Sequence, residues 1–384
     1  MDFELTESQR MLADSARKLS VDHLEPILKQ HDRATPLPKA AMLDIYHHLA
    51  AFGITASRLP VEFGGPGLSM VDYGLIIEQL PSVVALSLIS HDGSTMRLSG
   101  GASDEIRASY LPALIAGEKI ACTATSEPGA GSDSKDIQTR LEIDGDRGFI
   151  TGRKIWITNA SICDVMVVSC VMAADGAGKS APGRVLVDLD RAEVGIREIE
   201  LTGLRQGHLC EVEFNRTEVP VSNIIGAPGD AGKYLTLGWN GNRPLLGLMA
   251  TAIAQRAFDM ARDHAATRRQ FGAPLARFQL VQQDLADIET AILSSRLMCF
   301  NALGCLDRGV RANGVSAMAK RFATASALRA IDLAMQIHGA IGITADLALE
   351  QLWRDARVFQ VPDGTMGILT LIQGREITGQ AAFR

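Results

Sequence analysis

The hydrophobic period of this chain changes twice along its length, and that double change limits what the chain can fold into more than any other feature. Up to about residue 118, apolar residues recur every three or four positions through Leu5 to Leu19, Ala40 to Phe52, Met70 to Leu80 and Ile106 to Ile115, the spacing of amphipathic helices. The string PVEFGGPG, Pro60 to Gly67, interrupts them as a loop. From Ile120 the period moves toward two. GFITGRKIWITNA, DVMVVSCVM, GRVLVDLD and CEVEFNRTEVP are rich in β-branched residues and separated by glycine or charged turns, as in the strands of a small barrel or sandwich. Ala173 to Pro182 reads as an exposed hairpin loop. From about Gly229 the helical period returns, and Arg243 to Thr267 and Leu275 to Leu306 carry apolar faces broad enough for a bundle. The pattern predicts an α+β chain in three regions: helical over 1–118, β over 119–230 and helical over 231–384.

A length of 384 residues with 47% apolar content can supply the cores this needs. The net charge is −6 with no basic run, which argues against a nucleic-acid surface and leaves any anionic ligand to a few local cations. No stretch is long and charge-free enough to span a bilayer. The opening MDFELTESQR is acidic and lacks an apolar core, so the expected location is cytoplasmic. Cysteines 122, 163, 170, 210, 299 and 305 form no CxxC pair and have no histidine at zinc spacing; they read as reduced core thiols, and no metal is expected.

The string TSEPGAGSD, Thr125 to Asp133, joins an apolar lead-in to a glycine- and hydroxyl-rich turn. Gly129 and Gly131 allow close backbone approach to a ligand, and Ser126, Ser132 and the turn N–H groups can bond ring edges or phosphate oxygens. An ordinary surface loop has the same composition. Three further strings stand in order behind it: GRKIWITNA from Gly152, TRRQFGAPLARFQLVQQDLAD from Thr267, and QIHGAIGIT from Gln336 followed by RDARVFQVPDGT ending at Thr365. Together the four strings resemble the acyl-CoA dehydrogenase family over nearly the whole chain. The resemblance implies an N-terminal helical domain, a middle β-domain and a C-terminal four-helix bundle.

It also implies FAD. Thr123, Thr125, Ser126 and Ser132 match the family's strand beside the flavin ring, with Ser126 where a threonine is usual. Trp156 and Thr158 match a ring-packing tryptophan and a ring-bonding threonine, although a tryptophan here can also be a core aromatic. Arg268, Phe271 and Gln279 match positions that reach a neighbouring subunit's pyrophosphate and adenine region, where a planar guanidinium suits a diphosphate; alone, Arg268 reads as a solvated helix charge. Gln336, Gly339 and Ala340 match the loop that receives adenosine from another subunit, with alanine for its second glycine and His338 before the first. Thr365 completes the cofactor set. Sharing a flavin between subunits implies a homodimer or homotetramer.

Oxidising an acyl thioester needs a base for the α-proton, a hydride acceptor and donors to the carbonyl. The family's usual base is a glutamate before Gly-Thr; this chain has Asp363, with Pro362 where tyrosine is common. The side chain is one methylene shorter, and a retreat of roughly an ångström can cost on the order of a hundredfold in rate. Some relatives place the base one residue before the equivalent of Arg243, but here that residue is Asn242. Asp363 is therefore the expected base, while an Asp-Gly turn at a helix start is the plain alternative. Asn240, Arg243, Gly364, Ser132 and His91 match substrate-facing positions, and His91 or Asp92 can serve as an auxiliary acid or base or cap a helix. The leading expectation is dehydrogenation of an acyl-CoA or acyl-carrier-protein thioester, with an electron-transferring flavoprotein as acceptor. Because nitroalkane oxidases of similar sequence carry aspartate at this position, a flavin oxidase or oxygenase using O2 on a ring-bearing or aromatic CoA ester is the second. A non-catalytic flavin-binding or CoA-binding partner subunit is the third.

Overall fold

The computed structural model describes residues 4–134, 136–172, 181–227, 229 and 231–381, with side chains of 231–235 excluded. The N-terminal region forms α1 (Glu7–Leu19), α2 (Glu25–Lys29), α3 (Lys39–Ala51), α4 (Met70–Ile77), α5 (Ser82–Gly101) and α6 (Asp104–Ile115). Seven strands follow: β1 (Ala121–Ala124), β2 (Arg140–Asp144), β3 (Arg147–Thr158), β4 (Val165–Met172), β5 (Ala181–Asp188), β6 (Gly195–Glu198) and β7 (Leu209–Pro220). The C-terminal region holds α7 (Ala231–Thr267), a hairpin of β8 (Arg269–Gln270) and β9 (Ala273–Pro274), then α8 (Gln279–Asp307), α9 (Asn313–His338), α10 (Leu349–Val358) and α11 (Met366–Thr378). Helix, strand, helix is the order the periodicity predicts. Helix α5 and strands β2 and β6 are additions to that reading, the PVEFGGPG loop contains a single 3-10 turn at Val61–Phe63, and residues 173–180 of the expected hairpin loop lie outside the described residues.

The chain forms two compact units, one of residues up to 69 with 83–201 and 205–238, the other of 70–82, 202–204 and 239 onward. In the first, α1 starts at a reciprocal capping box in which the Thr6 hydroxyl accepts from the Gln9 N–H and the Gln9 side chain accepts from the Thr6 N–H. The seven strands make one mixed sheet in the order β1-β4-β2-β3-β7-β6, with β5 on β4. Strand β4 pairs β1 in parallel over Val165 to Val168, β2 in parallel at Val171 and Met172, and β5 antiparallel along its length. Its near-continuous burial follows from this central position and explains its unbroken apolar run. Leu98, Ile106, Leu111 and Leu114 of α5 and α6 pack on Ala121, Val165, Val167 and Leu186 of the sheet.

The long antiparallel pair β3–β7 changes register twice, between Ile150 and Gly152 and between Lys154 and Ile157. Gly152 is required at the first irregularity: its φ is +152°, and a Cβ there would sit 2.7 Å from the Thr139 Cα. The second irregularity carries Trp156.

In the second unit α8 and α9 are joined by the short connection 308–312, and α9 also packs against α10 and α11. Small residues permit this: Ala317, Ala319, Ala323, Ala327, Ala330 and Ala334 line the buried side of α9, and a Cβ on Gly247 would lie 2.6 Å from the Cys299 Sγ. Helix α4 is fixed to α8 at both ends, by the Asp307 carboxylate accepting from the Met70 and Val71 N–H groups and by a bidentate Arg296–Glu78 pair at 2.8 and 2.7 Å.

Candidate functional site

In the first unit the TSEPG turn is stitched to the second irregularity of β3. The Ile155 N–H donates to the Ser126 carbonyl at 2.9 Å, and Lys154 Nζ donates to the Thr125 carbonyl at 2.9 Å and to Glu127 Oε1 at 2.7 Å. Glu127 in turn accepts from the Gln138 and Thr139 N–H groups at 2.6 and 2.9 Å. Burial alone would push the Glu127 carboxyl up, but Lys154 and these amides hold it below its ordinary value. This internal ion pair brings Thr125, Ser126 and Trp156 together. Trp156 takes φ = +64°, costly for a bulky residue, and its side chain is 56% exposed, so it is not the core aromatic that a strand tryptophan suggests. The Thr123 hydroxyl lies 2.9 Å from Ser94 Oγ and the Thr125 hydroxyl 3.1 Å from Ser169 Oγ, while Thr158 is half-buried at the end of β3. Ser132 is exposed. Neither Gly129 nor Gly131 has positive φ or any heavy atom within 4 Å of a built Cβ, so packing within the chain does not require glycine there.

His91 does not meet its expectation as a substrate contact. It is fully buried in α5, its Nδ1 accepts from the Ala121 N–H at 3.0 Å, and its Nε2–H donates to the Leu114 carbonyl at 3.2 Å. Both ring nitrogens are engaged by backbone, and burial lowers its pKa to about 4. Asp92, also fully buried, is paired with Arg58. These two residues join α5 to its neighbours and supply no auxiliary acid or base.

In the second unit the turn between α10 and α11 presents three successive carbonyls to two buried cations. Lys320 Nζ donates to the Pro362 carbonyl and, at 2.7 Å, to that of Gly364; Arg243 Nε donates to the Asp363 carbonyl at 2.9 Å. Asp363 has φ = +53° and Gly364 φ = +115°, so the turn is left-handed at both. Arg243 also donates to Asn240 Oδ1 at 3.3 Å, and Asn240 Nδ2 donates to Asn313 Oδ1 at 2.6 Å. Asn240 and Arg243 are thus buried with polar ends inside the protein, and Arg243 belongs to the aspartate's own turn. Burial lowers the Arg243 pKa, with Asp363 opposing, and lowers that of Lys320 to about 8. Lys320 is the residue that motif reading missed. Thr365 caps α11, its hydroxyl accepting from the Ile368 N–H at 3.5 Å.

A third group lies at the end of α7. His264 stacks on His338 with ring centroids 4.3 Å apart, and burial, then His338 and Arg268, lower the His264 pKa. The stack brings exposed Arg268 near the end of α9, where Gln336 is exposed, and near the turn after it, where Gly339 and Ala340 are exposed and Gly339 has φ = +66°. The Ala340 methyl stands in the open 3-10 turn Gly339–Ile343. Phe271 and Gly272, at φ = +48° and +76°, make the two-residue turn of the β8–β9 hairpin and leave Phe271 95% exposed; Gln279 is exposed at the start of α8. Among the described residues, no group of three or more potential ligands could hold a metal, and no helix is long and apolar enough to cross a membrane.

By its similarity to known proteins the chain is a flavin-dependent oxidoreductase. The donor set suits FAD: a projecting indole beside the Thr125 and Ser126 strand end would hold a flat ring, and Arg268 would meet a diphosphate. Sequence models of the acyl-CoA dehydrogenase N-terminal, middle and C-terminal domains match residues 6–118, 122–217 and 233–378, and the chain belongs to the acyl-CoA dehydrogenase family, with FAD as cofactor and CoA thioesters as substrate class. It is 34% identical to a 3-sulfinopropanoyl-CoA desulfinase of Paraburkholderia xenovorans, covering 98% of both chains, and 33% identical to a cyclohex-1-ene-1-carbonyl-CoA dehydrogenase of Geobacter metallireducens, covering 97% and 98%. Among solved structures it resembles butyryl-CoA dehydrogenase from Megasphaera elsdenii, with a TM-score of 0.89 and 25% identity over 98% of this chain and 100% of that one.

Proposed function

We propose that the chain desaturates an acyl-CoA thioester at α and β with Asp363 as the base. The Asp363 carboxylate takes the α-proton, and FAD, when bound, would supply the two-electron acceptor for the β-hydrogen, so that the product is the α,β-unsaturated thioester. The observation that carries this reading is the left-handed Asp363–Gly364 turn, whose carbonyls are fixed by Lys320 and Arg243. A short carboxylate needs backbone placement to make up its reach, and a turn held at three consecutive carbonyls provides fixed placement. Gly364, beside the base, is assigned to the pantetheine arm, which CoA and a carrier protein share. Asn240 and Arg243 act through the turn. Relatives whose names specify a desulfinase and a ring-bearing acyl-CoA dehydrogenase show that the acyl group varies within the family.

We further propose a homodimer or homotetramer in which Arg268, Phe271 and Gln279 of one copy, with Gln336, Gly339 and Ala340, serve a flavin held by Thr123, Thr125, Ser126, Trp156 and Thr158 of another. The strained, 95% exposed Phe271 supports it, because within its own subunit the ring gains only an edge contact with Phe278, with ring centroids 6.2 Å apart.

The test is an anaerobic absorbance titration of the flavoprotein with linear, branched and aromatic acyl-CoAs, followed by admission of air and mass analysis. Bleaching that persists in air with an enoyl product, abolished in Asp363→Ala, is expected with an electron-transferring flavoprotein as acceptor. Unchanged bleaching in Asp363→Ala overturns the base assignment. The aspartate in place of glutamate favours one second reading, an oxidase or oxygenase; rapid return of the oxidised band in air, or an oxygen-bearing product, would establish it.

A further inference from the structure

The buried cation opposite the Asp363 turn has a role that filling space does not explain. Lys320 lies in the middle of α9 with its side chain inaccessible to solvent, on the same buried side as Ser316, Ala319, Ala323 and Ala327. Placing an ammonium there is unfavourable, as the lowering of its pKa to about 8 by burial registers. A methionine would fill the same channel without that penalty. What methionine lacks is the ability to donate to two carbonyls, and Nζ donates to those of Pro362 and Gly364, the residues on either side of Asp363. Gly364 takes its left-handed backbone freely, but Asp363, with a side chain, does so at a cost that its surroundings must offset.

We propose that Lys320 is a positioning residue for the reaction: by clamping the carbonyls that flank Asp363, it fixes the left-handed turn that aims the Asp363 carboxylate at the α-proton. This rests on the reading of Asp363 as base. Arg243 completes the clamp at the intervening carbonyl, so three consecutive acceptors are held from two helices, α7 and α9. Lys320 and Arg243 both feel the Asp363 charge. Removing the Lys320 charge withdraws one cation that favours the ionised carboxylate, so the acid limb of the rate profile moves to higher pH. The limb reads the Lys320 charge at Asp363, whereas loss of rate above the limb, at unchanged flavin content and half-saturation, reads the placement of the carboxylate.

The experiment compares the FAD-loaded protein with Lys320→Met, Lys320→Gln and Asp363→Ala, following the anaerobic rate of flavin bleaching against pH with an acyl-CoA that bleaches the wild type. Lys320→Met is expected to slow bleaching by about a hundredfold, with flavin content and the half-saturating thioester concentration within about twofold of wild type. Lys320→Gln keeps N–H donors but no charge, and is expected to slow bleaching by about tenfold while moving the acid limb in the same direction. If Lys320→Met does not fold, the glutamine variant decides: a rate reduced above the acid limb at unchanged flavin content supports the proposal and a wild-type rate there overturns it. Wild-type rate and acid limb in either flavinated variant, with Asp363→Ala inactive, remove the positioning role alone. Bleaching by Asp363→Ala at the wild-type rate removes the base assignment and this proposal with it.

Discussion

Lys154 Nζ sits 2.7 Å from Glu127 Oε1, with the lysine fully buried and the glutamate nearly so. This pair connects the most informative motif of the chain to the tryptophan strand, because the same ammonium also holds the Thr125 carbonyl. Burial lowers the Lys154 pKa, and Glu127 opposes that shift. Breaking one side of such a pair leaves a buried charge uncompensated. Glu127→Gln is therefore expected to destabilise the fold by about 3 kcal/mol, whereas Glu127→Gln with Lys154→Met should recover much of the loss. Denaturant unfolding of the two variants measures both. A single variant as stable as wild type would show that the pair does not hold the turn.

His91 makes stability depend on acidity. Its folded pKa of about 4 lies below the ordinary 6.5, so the unfolded chain binds the extra proton first. The contribution is fully present above pH 6.5 and is lost as pH falls toward 4, amounting to about 3 kcal/mol at the acid end from about 1.4 kcal/mol per unit. Glutamine can offer one acceptor and one donor without titrating. His91→Gln should flatten the stability profile between pH 6.5 and 4 in thermal scans, and an undiminished slope would assign the acid sensitivity to other groups.

The helix, strand, helix order was legible because amphipathic periods survive wherever one face of an element meets solvent. Helix α5 was not: Val84, Ala85, Leu88, His91, Asp92, Ser94 and Thr95 are buried on several sides, so no single apolar stripe marks it, and its polar residues resembled a site. Asp363, Arg243 and Trp156 were legible from motifs, and Asp-Gly hinted at a turn at Asp363, but the left-handed backbone at Trp156 was not legible, since a bulky aromatic does not announce positive φ. Lys320 carried a weak signal, a lysine in register with Ala317, Ala323 and Ala327 of a buried stripe. Its partners are carbonyls some forty residues away, and no local pattern encodes them.

Arg268 is exposed at the end of α7, so Arg268→Ala should leave the melting temperature of the flavin-free protein within about a degree of wild type. Loss of a charge-assisted contact to a diphosphate corresponds to roughly tenfold weaker FAD binding. The flavin-to-protein absorbance ratio after desalting reads this directly. A variant that retains full flavin would remove Arg268 from the cofactor site.

Trp156 offers a test in which stability and cofactor binding separate. Replacing a residue at an ordinary strand position with glycine costs about 0.5–1 kcal/mol more than replacing it with alanine, because glycine loses more chain entropy on folding. At φ = +64° the order inverts, since alanine keeps a left-handed penalty of about 1–2 kcal/mol that glycine escapes. Trp156→Gly is therefore expected to be more stable than Trp156→Ala by about 0.5–1 kcal/mol in the flavin-free protein. Both variants lose the projecting indole and should retain less FAD than wild type. Little burial is sacrificed in either, because the side chain is 56% exposed, so the comparison isolates the backbone. Thermal unfolding of the two proteins side by side decides it. The usual alanine-over-glycine order would mean that the left-handed conformation is absent without FAD and that Trp156 adopts it only when the cofactor binds.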